Sequence, residues 1–195
     1  MIIVITPEQY FKRESDGINK LLEEGLELLH IRKPYGTKED LKVLLDGIEA
    51  SFYPKLVLHN YHETGKQYGI SRFHFTEQAR VNKTYPPYEE GKVSSTSVHD
   101  IDSYNRLNKE WEYAFLSPVF PSISKPGHGR DSTLLDTIGK RNNKDVKLIA
   151  LGGIDEKTIP VIKDKNIDGI ALLGAIWQNE DPLSAFKKCR KIFKN

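Results

Sequence analysis

The residues of this chain best suited to chemistry are imidazoles, a guanidinium, hydroxyls and paired glycines. They recur at intervals along the sequence. His30 and Arg32 stand two positions apart, His59-Asn60 closes an apolar run, His74 lies within another, and Ser97-Val98-His99 ends a third. An unperturbed imidazole titrates near pH 6.5, so His99 is a candidate acid or base in neutral water. Ser122, Ser124 and Lys125, within Ser122-Ile123-Ser124-Lys125-Pro126-Gly127, offer hydroxyl and ammonium donors suited to phosphate or pyrophosphate oxygens. Such a composition is also that of an ordinary surface loop. Two glycine turns follow, Leu151-Gly152-Gly153-Ile154-Asp155 and Leu173-Gly174-Ala175-Ile176. Glycine lets backbone N–H groups come close to an anion. No His-Glu-x-x-His spacing is present, and Asp155 is the one acid among these positions, so no metal is expected on the histidines.

These residues need elements to hold them. Short β-branched runs alternate with amphipathic ones. The expected strands are Ile2–Ile5, Leu28–Arg32, Leu56–His59, Arg72–Phe75, Val93–Ser97, Tyr113–Ser117, Val146–Leu151 and Gly169–Leu173. Runs such as Ile2-Ile3-Val4-Ile5 are apolar throughout, as in parallel strands covered on both faces. Between them Ile18, Leu21, Leu22, Leu26 and Leu41, Leu44, Leu45, Ile48 recur at helical spacing, and Pro182, Leu183, Phe186, Cys189, Ile192 open a last helix. Helices are also expected around Asp100–Asn108 and from Thr158. Eight strands alternating with helices predict a (β/α)8 TIM barrel forming one domain over residues 1–195. The length is short for that fold, so some helices should shrink to loops, first of all in Thr76–Gly91 with its Pro86-Pro87. In such barrels the active site lies at the C-terminal ends of the strands, and a phosphate site often forms after strands seven and eight. The two glycine turns stand there, so Gly152, Gly153, Gly174 and Ala175 are the candidate phosphate-binding residues.

Bulk properties exclude several classes. Hydrophobic residues are 38% and charged residues 29%, a globular balance, and the net charge of +2 is too small to suggest nucleic acid. Cys189, the one cysteine, leaves no internal disulfide and reads as a structural thiol. No run approaches the roughly 20 apolar residues of a membrane span. The first residues read as a strand and not as a signal peptide, so a cytoplasmic location is expected by default. Oligomeric state is left open.

The motifs resemble those of the thiamin phosphate synthase/TenI family almost from end to end. The resemblance is carried by Leu29-His30-Ile31-Arg32, by Leu58-His59-Asn60 with Phe73-His74-Phe75, and by Ser97-Val98-His99. The most specific segments are Ser117-Pro118-Val119-Phe120-Pro121-Ser122-Ile123-Ser124-Lys125, similar to the family's Gly-Pro-Val-Phe-x-Thr-x-Thr-Lys loop, and Ile149-Ala150-Leu151-Gly152-Gly153-Ile154 with Asp168-Gly169-Ile170-Ala171. The resemblance implies the barrel, a thiazole phosphate ligand and a place in thiamin biosynthesis. It also implies a choice between two activities. Synthases join a pyrimidine diphosphate to the thiazole phosphate and release pyrophosphate. TenI-type members isomerise a thiazole carboxylate phosphate to its aromatic tautomer.

Departures from the family pattern separate these. A synthase holds Mg2+ on two aspartates, and the matching positions here are Asn60 and Ala79. The synthase segment Gln-x-Arg-Glu-Lys is replaced by His30-Ile31-Arg32-Lys33-Pro34. The expectation is therefore a TenI-like tautomerase that needs no cofactor, with His99 as the acid/base and Mg2+ required only under the synthase alternative. His30, Arg32, His59, Asn60, Ser97, Ser122, Ser124 and Lys125 would bind substrate, with Arg32 and Lys125 attracting its carboxylate and phosphate. His74 would be a packed core residue. A non-catalytic relative that senses thiazole phosphate is a third reading, because fold alone does not settle function.

Overall fold

The structure, a computed structural model, describes residues 1–86, 91–121 and 132–195. Eight parallel strands close one barrel in chain order: β1 (Ile2–Ile5), β2 (Leu28–Ile31), β3 (Leu56–Leu58), β4 (Arg72–Phe75), β5 (Val93–Val98), β6 (Trp111–Leu116), β7 (Lys147–Leu151) and β8 (Gly169–Leu172). The barrel expected from the alternating runs is the observed fold. Closure comes from β8, whose Ile170, Ala171 and Leu172 stand opposite Ile2, Ile3 and Val4. Strands β2, β3 and β6 each end one residue before the expected limit. Arg32, His59 and Ser117 leave the ladder there and sit at the barrel mouth.

Around the barrel lie α1 (Glu14–Glu23), α2 (Lys38–Asp46), α3 (His62–Gln67), α4 (Glu77–Val81), α5 (Ile101–Asn105), α6 (Leu134–Thr137), α7 (Ile159–Ile162), α8 (Gly174–Trp177) and α9 (Pro182–Lys194). The three longest carry the clearest amphipathic spacing: α1 buries Ile18, Leu21 and Leu22, α2 buries Leu41, Leu44 and Leu45, and α9 buries Ala185, Phe186 and Cys189. Asp181 caps α9 by accepting from the N–H groups of Leu183 and Ser184, with Pro182 in the first turn. The other helices are short, as chain length requires; α4 keeps only five residues. Burial pushes the Cys189 thiol up to about 11, which keeps it protonated and inert. No helix among the described residues is long and apolar enough to cross a membrane.

The core has two layers. The larger joins the outer faces of the strands to the helices. The smaller fills the barrel with Ile3, Ile5, Leu28, Val57, Tyr113, Phe115, Ile149 and Ala171. Imidazoles interrupt that apolar filling. His30 is fully buried and packs its ring against Tyr113 and Phe115.

One tie beneath the mouth gave no signal in the sequence. Lys33 is buried against Glu14, their side chains 1% and 2% exposed, with Nζ donating at 2.7 and 2.9 Å to the two carboxylate oxygens. The same ammonium donates to the carbonyls of Pro7 and Gln9. Lys33 therefore pins the β1–α1 loop to the end of β2 and does not face the mouth.

Candidate active site

A cavity of about 330 Å³ opens at the C-terminal ends of the strands. That is within the size range of small-molecule sites. On the far side of the ring, β7 and β8 contribute backbone. Gly152 and Gly153 have φ of 99° and 63°, a region that penalises any residue with a Cβ. Their neighbours are equally restrictive. A Cβ on Gly152 would lie 2.9 Å from the Pro118 Cα, and one on Gly153 would overlap the Pro121 carbonyl oxygen and lie 2.6 Å from the Phe120 Cβ. The β6 segment Pro118–Pro121 lies against this turn, with the Val119 and Phe120 N–H groups donating to the Leu151 and Gly152 carbonyls. The glycines thus have a packing reason of their own, besides any ligand. Gly174 also lines the cavity. Ala175 does not; it faces a separate hollow between α8 and α9, because the helical rise turns it away from Gly174.

The side formed by β5 places Ser97 and His99 in the cavity, as strand alternation requires. His99 Nδ1 donates to the Ser117 carbonyl at 2.7 Å. That bond holds the proton on Nδ1 and leaves Nε2 as the basic atom. Nε2 lies 3.9 Å from Glu77 Oε2, and the His99 side chain is 55% exposed. Glu77 opens α4 behind the cap of Thr76, whose Oγ1 accepts from the Ala79 N–H at 3.1 Å, and it also pairs with Arg80. Glu77 and Glu8, the carboxylates that line the mouth among the described residues, went unread in the sequence. Each stands just past a strand, at Phe75-Thr76-Glu77 and Ile5-Thr6-Pro7-Glu8, so reading every strand end a little further would have found both.

Arg32 enters the mouth from β2 and pairs with Glu8 at 2.5 Å. Below it runs a chain of rings. Tyr113 Oη is 2.7 Å from His30 Nε2, and His30 Nδ1 is 2.9 Å from His59 Nε2. His59 stacks on His74 at 4.3 Å between centroids, and His74 meets Ser95 Oγ at 2.9 Å and Ser97 Oγ at 3.0 Å. His59 and His74 border the cavity, whereas His30 lies one layer deeper and touches no part of it. Its assignment as a substrate contact is therefore corrected: His30 shares the inward face with Arg32 but sits one inward position below it on β2. His74 is the packed, hydrogen-bonded residue expected. Burial holds His30 and His59 well below the ordinary imidazole range and brings His74 down to about 3, so all three are neutral at pH 7.

Asn60 is the second correction. Its Nδ2 donates to the Lys33 carbonyl at 2.9 Å, so it fastens the β3 end to the β2 end and does not line the cavity. Ala79, at the other synthase metal position, packs against the outer core and has no ligand atom. The described residues at these two positions do not fit Mg2+. Ser122, Ser124 and Lys125 lie outside the described residues. The mouth thus brings together Arg32, His59, Ser97, His99, Gly152, Gly153 and Gly174 from the expected set, and adds Glu8 and Glu77.

The family model described as thiamine monophosphate synthase matches residues 2–176. A thiamine-phosphate synthase of Desulfitobacterium hafniense is 27% identical over 92% of this chain and 89% of its own length. One from Clostridium tetani is 24% identical over 90% and 88%. Among solved structures, the crystal structure of a thiamine phosphate pyrophosphorylase from Bacteroides thetaiotaomicron superposes with a TM-score of 0.81 at 24% identity, covering 99% of this chain and 97% of that one. One from Pyrococcus furiosus gives 0.77 at 18%, covering 99% and 95%.

Proposed function

The chain belongs to the thiamine monophosphate synthase family, and we propose that its barrel mouth binds a phosphorylated thiazole and acts on it in thiamin biosynthesis. The observation that carries this reading is the meeting of the glycine turns, Gly152-Gly153 and Gly174, with His99 and Arg32 around one cavity. The turns would take the phosphate through backbone N–H groups, and Arg32 would draw in an anionic substrate.

Formation of thiamin phosphate is the reaction we rank first. Its support is the name borne by relatives that align over nine-tenths of the chain. In that reaction the bond between the pyrimidine carbon and its diphosphate breaks, the bond to the thiazole forms, and pyrophosphate leaves. Asn60 and Ala79 do not fit Mg2+, so charge on the leaving group would have to be met from elsewhere at the mouth, where Arg32 would have to release Glu8 to reach it.

The tautomerase reading is the second, and a specific observation favours it. The basic Nε2 of His99 faces the mouth, fixed there by the Nδ1–Ser117 bond, and the carboxylate pair of a metal-dependent synthase is replaced. An imidazole beside a fixed substrate can take a proton from one atom and return it to another without metal. Under this reading His99→Ala loses about 10²- to 10⁴-fold in turnover while thiazole phosphate binding holds.

One experiment separates the readings. The protein is incubated with the two synthase substrates, and separately with the thiazole carboxylate phosphate tautomer, each with and without Mg2+. Thiamin phosphate formed at an enzyme-like rate supports the first reading. Tautomer turnover alone, independent of Mg2+ and lost in His99→Ala, moves the second ahead. Binding of thiazole phosphate without turnover of either would leave a sensor, and absence of that binding rejects the proposal.

A further inference from the structure

We propose that His30, His59 and His74 form a binding site for one divalent transition-metal ion of the zinc class, set beneath the mouth of the barrel. The three side chains come from β2, from the residue after β3, and from β4, and one ligand nitrogen of each lies within 4.8 Å of the others. Local spacing in the sequence could not show this, because neighbouring parallel strands bring together residues 29 and 15 positions apart.

The donor set is that of a zinc-class ion. Imidazole nitrogens suit Zn2+, Co2+ and Ni2+, whereas Mg2+ prefers carboxylate and water oxygens. Three protein ligands with an open fourth position are the usual form of a reactive zinc site. Here the fourth position would face the cavity, which His59 and His74 border. Bonds of about 2.0–2.1 Å to zinc place ligand nitrogens about 3.3 Å apart in a tetrahedron. His30 Nδ1 and His59 Nε2 stand 2.9 Å apart and share one proton. An ion would take the place of that proton, which would move to the far nitrogen of its own ring, so no net charge is lost or gained by the two imidazoles.

The surroundings suit such an ion. A metal-bound imidazole needs a partner for its other ring nitrogen. Tyr113 Oη supplies it for His30 at 2.7 Å, and Ser95 Oγ for His74 Nδ1 at 2.9 Å, so His74 would ligate through Nε2 in place of its 3.0 Å contact with Ser97 Oγ. The nearby guanidiniums are balanced. Arg32 is held by Glu8 at 2.5 Å and Arg72 by Glu112 at 2.7 Å.

The test uses the full chain without an added histidine tag, stripped with EDTA and dialysed. Titration with Co2+ should give visible d–d absorption of a four- or five-coordinate site, saturating at one ion per chain and displaced by Zn2+. His59→Ala, at a half-buried position, and His74→Gln should each weaken Co2+ binding at least tenfold, while His99→Ala should bind as the parent. Should either variant fail to fold, the imidazole 15N resonances of His30 and His59 in the unaltered chain should still shift on Zn2+ addition. The proposal is overturned by no stoichiometric band, by a band that persists in folded His59→Ala and His74→Gln, or by unmoved His30 and His59 resonances. None of these outcomes bears on thiazole phosphate binding.

Discussion

The two sides of the barrel mouth are built from different material. At β7 and β8 the surface is backbone: Gly152 and Gly153 in left-handed conformations and Gly174 at the head of α8. From β2 to β5 it is side chain: Arg32, His59, His74, Ser97 and His99, underlain by His30 and Tyr113. At Gly152 and Gly153 the backbone side admits little substitution, because Pro118, Phe120 and Pro121 already fill the space a Cβ would need. The side-chain side can exchange one functional group for another while the strands stay in register. Within a common barrel, a change of reaction is therefore easiest on β2 to β5, which is where this chain departs from the synthase pattern. The glycine turns are where it keeps the pattern.

This contrast can be broken by measurement. The largest effect is expected at Lys33. Removing one partner of a buried ion pair leaves the other charge uncompensated and typically costs about 3–5 kcal/mol. Lys33→Met should lower stability by about that amount in urea unfolding, and Lys33→Met with Glu14→Leu should recover much of it. Burial pushes both groups toward their neutral forms, Glu14 up and Lys33 down, which is why the double replacement is tolerable. If the single variant is as stable as the parent, the side-chain side is not held by this tie.

Next comes Gly153→Ala. The φ of 63° costs about 1–2 kcal/mol for a non-glycine residue, and the overlap with Pro121 and Phe120 adds to it. A loss of about 2–3 kcal/mol together with weaker thiazole phosphate binding is expected. A stable variant with unchanged binding would remove the special status of the backbone side.

The third test is acid, with chelator present. His74 titrates near 3 in the folded chain and near 6.5 when unfolded, so the unfolded state binds more protons between those values. Its stabilising contribution is fully present above pH 6.5 and declines by up to about 1.4 kcal/mol per pH unit below it. His30 and His59 shift in the same direction. Melting temperature should fall from pH 7 to pH 5, and less steeply in His74→Gln. A flat profile would mean the rings are not buried as neutral bases.

The smallest effect is Asp181→Ala, about 1 kcal/mol from loss of the α9 cap. It lies behind β8 and should leave thiazole phosphate affinity unchanged. A change in affinity would extend the backbone side beyond its turns.

Much of the scaffold was legible because parallel strands are apolar on both faces. Ile2-Ile3-Val4-Ile5 and Leu56-Val57-Leu58 need no partner to be recognised. Ser97 and His99 were legible too, since alternation alone turns them together into the mouth. What escaped depended on contacts between distant residues. His30, His59 and His74 meet across three strands, and Asn60 spends its amide on a carbonyl 27 positions earlier. Glu77 escaped because a five-residue helix leaves almost no periodicity to mark its start.

The pairing of β1 with β8 sets the order in which the molecule can be completed. Ile2 to Val4 find their outer neighbours only at Ile170 to Leu172. During synthesis β1 must wait until β8 has been made with one edge unpaired, and final closure joins residues 168 positions apart, as Ile2 and Ile170 are. Contacts of such separation slow folding, and exposed strand edges invite association with other chains. The closing seam should be among the last parts to gain protection in pulsed hydrogen exchange during refolding, after the β5–β6–β7 region, whose neighbours lie much closer in sequence.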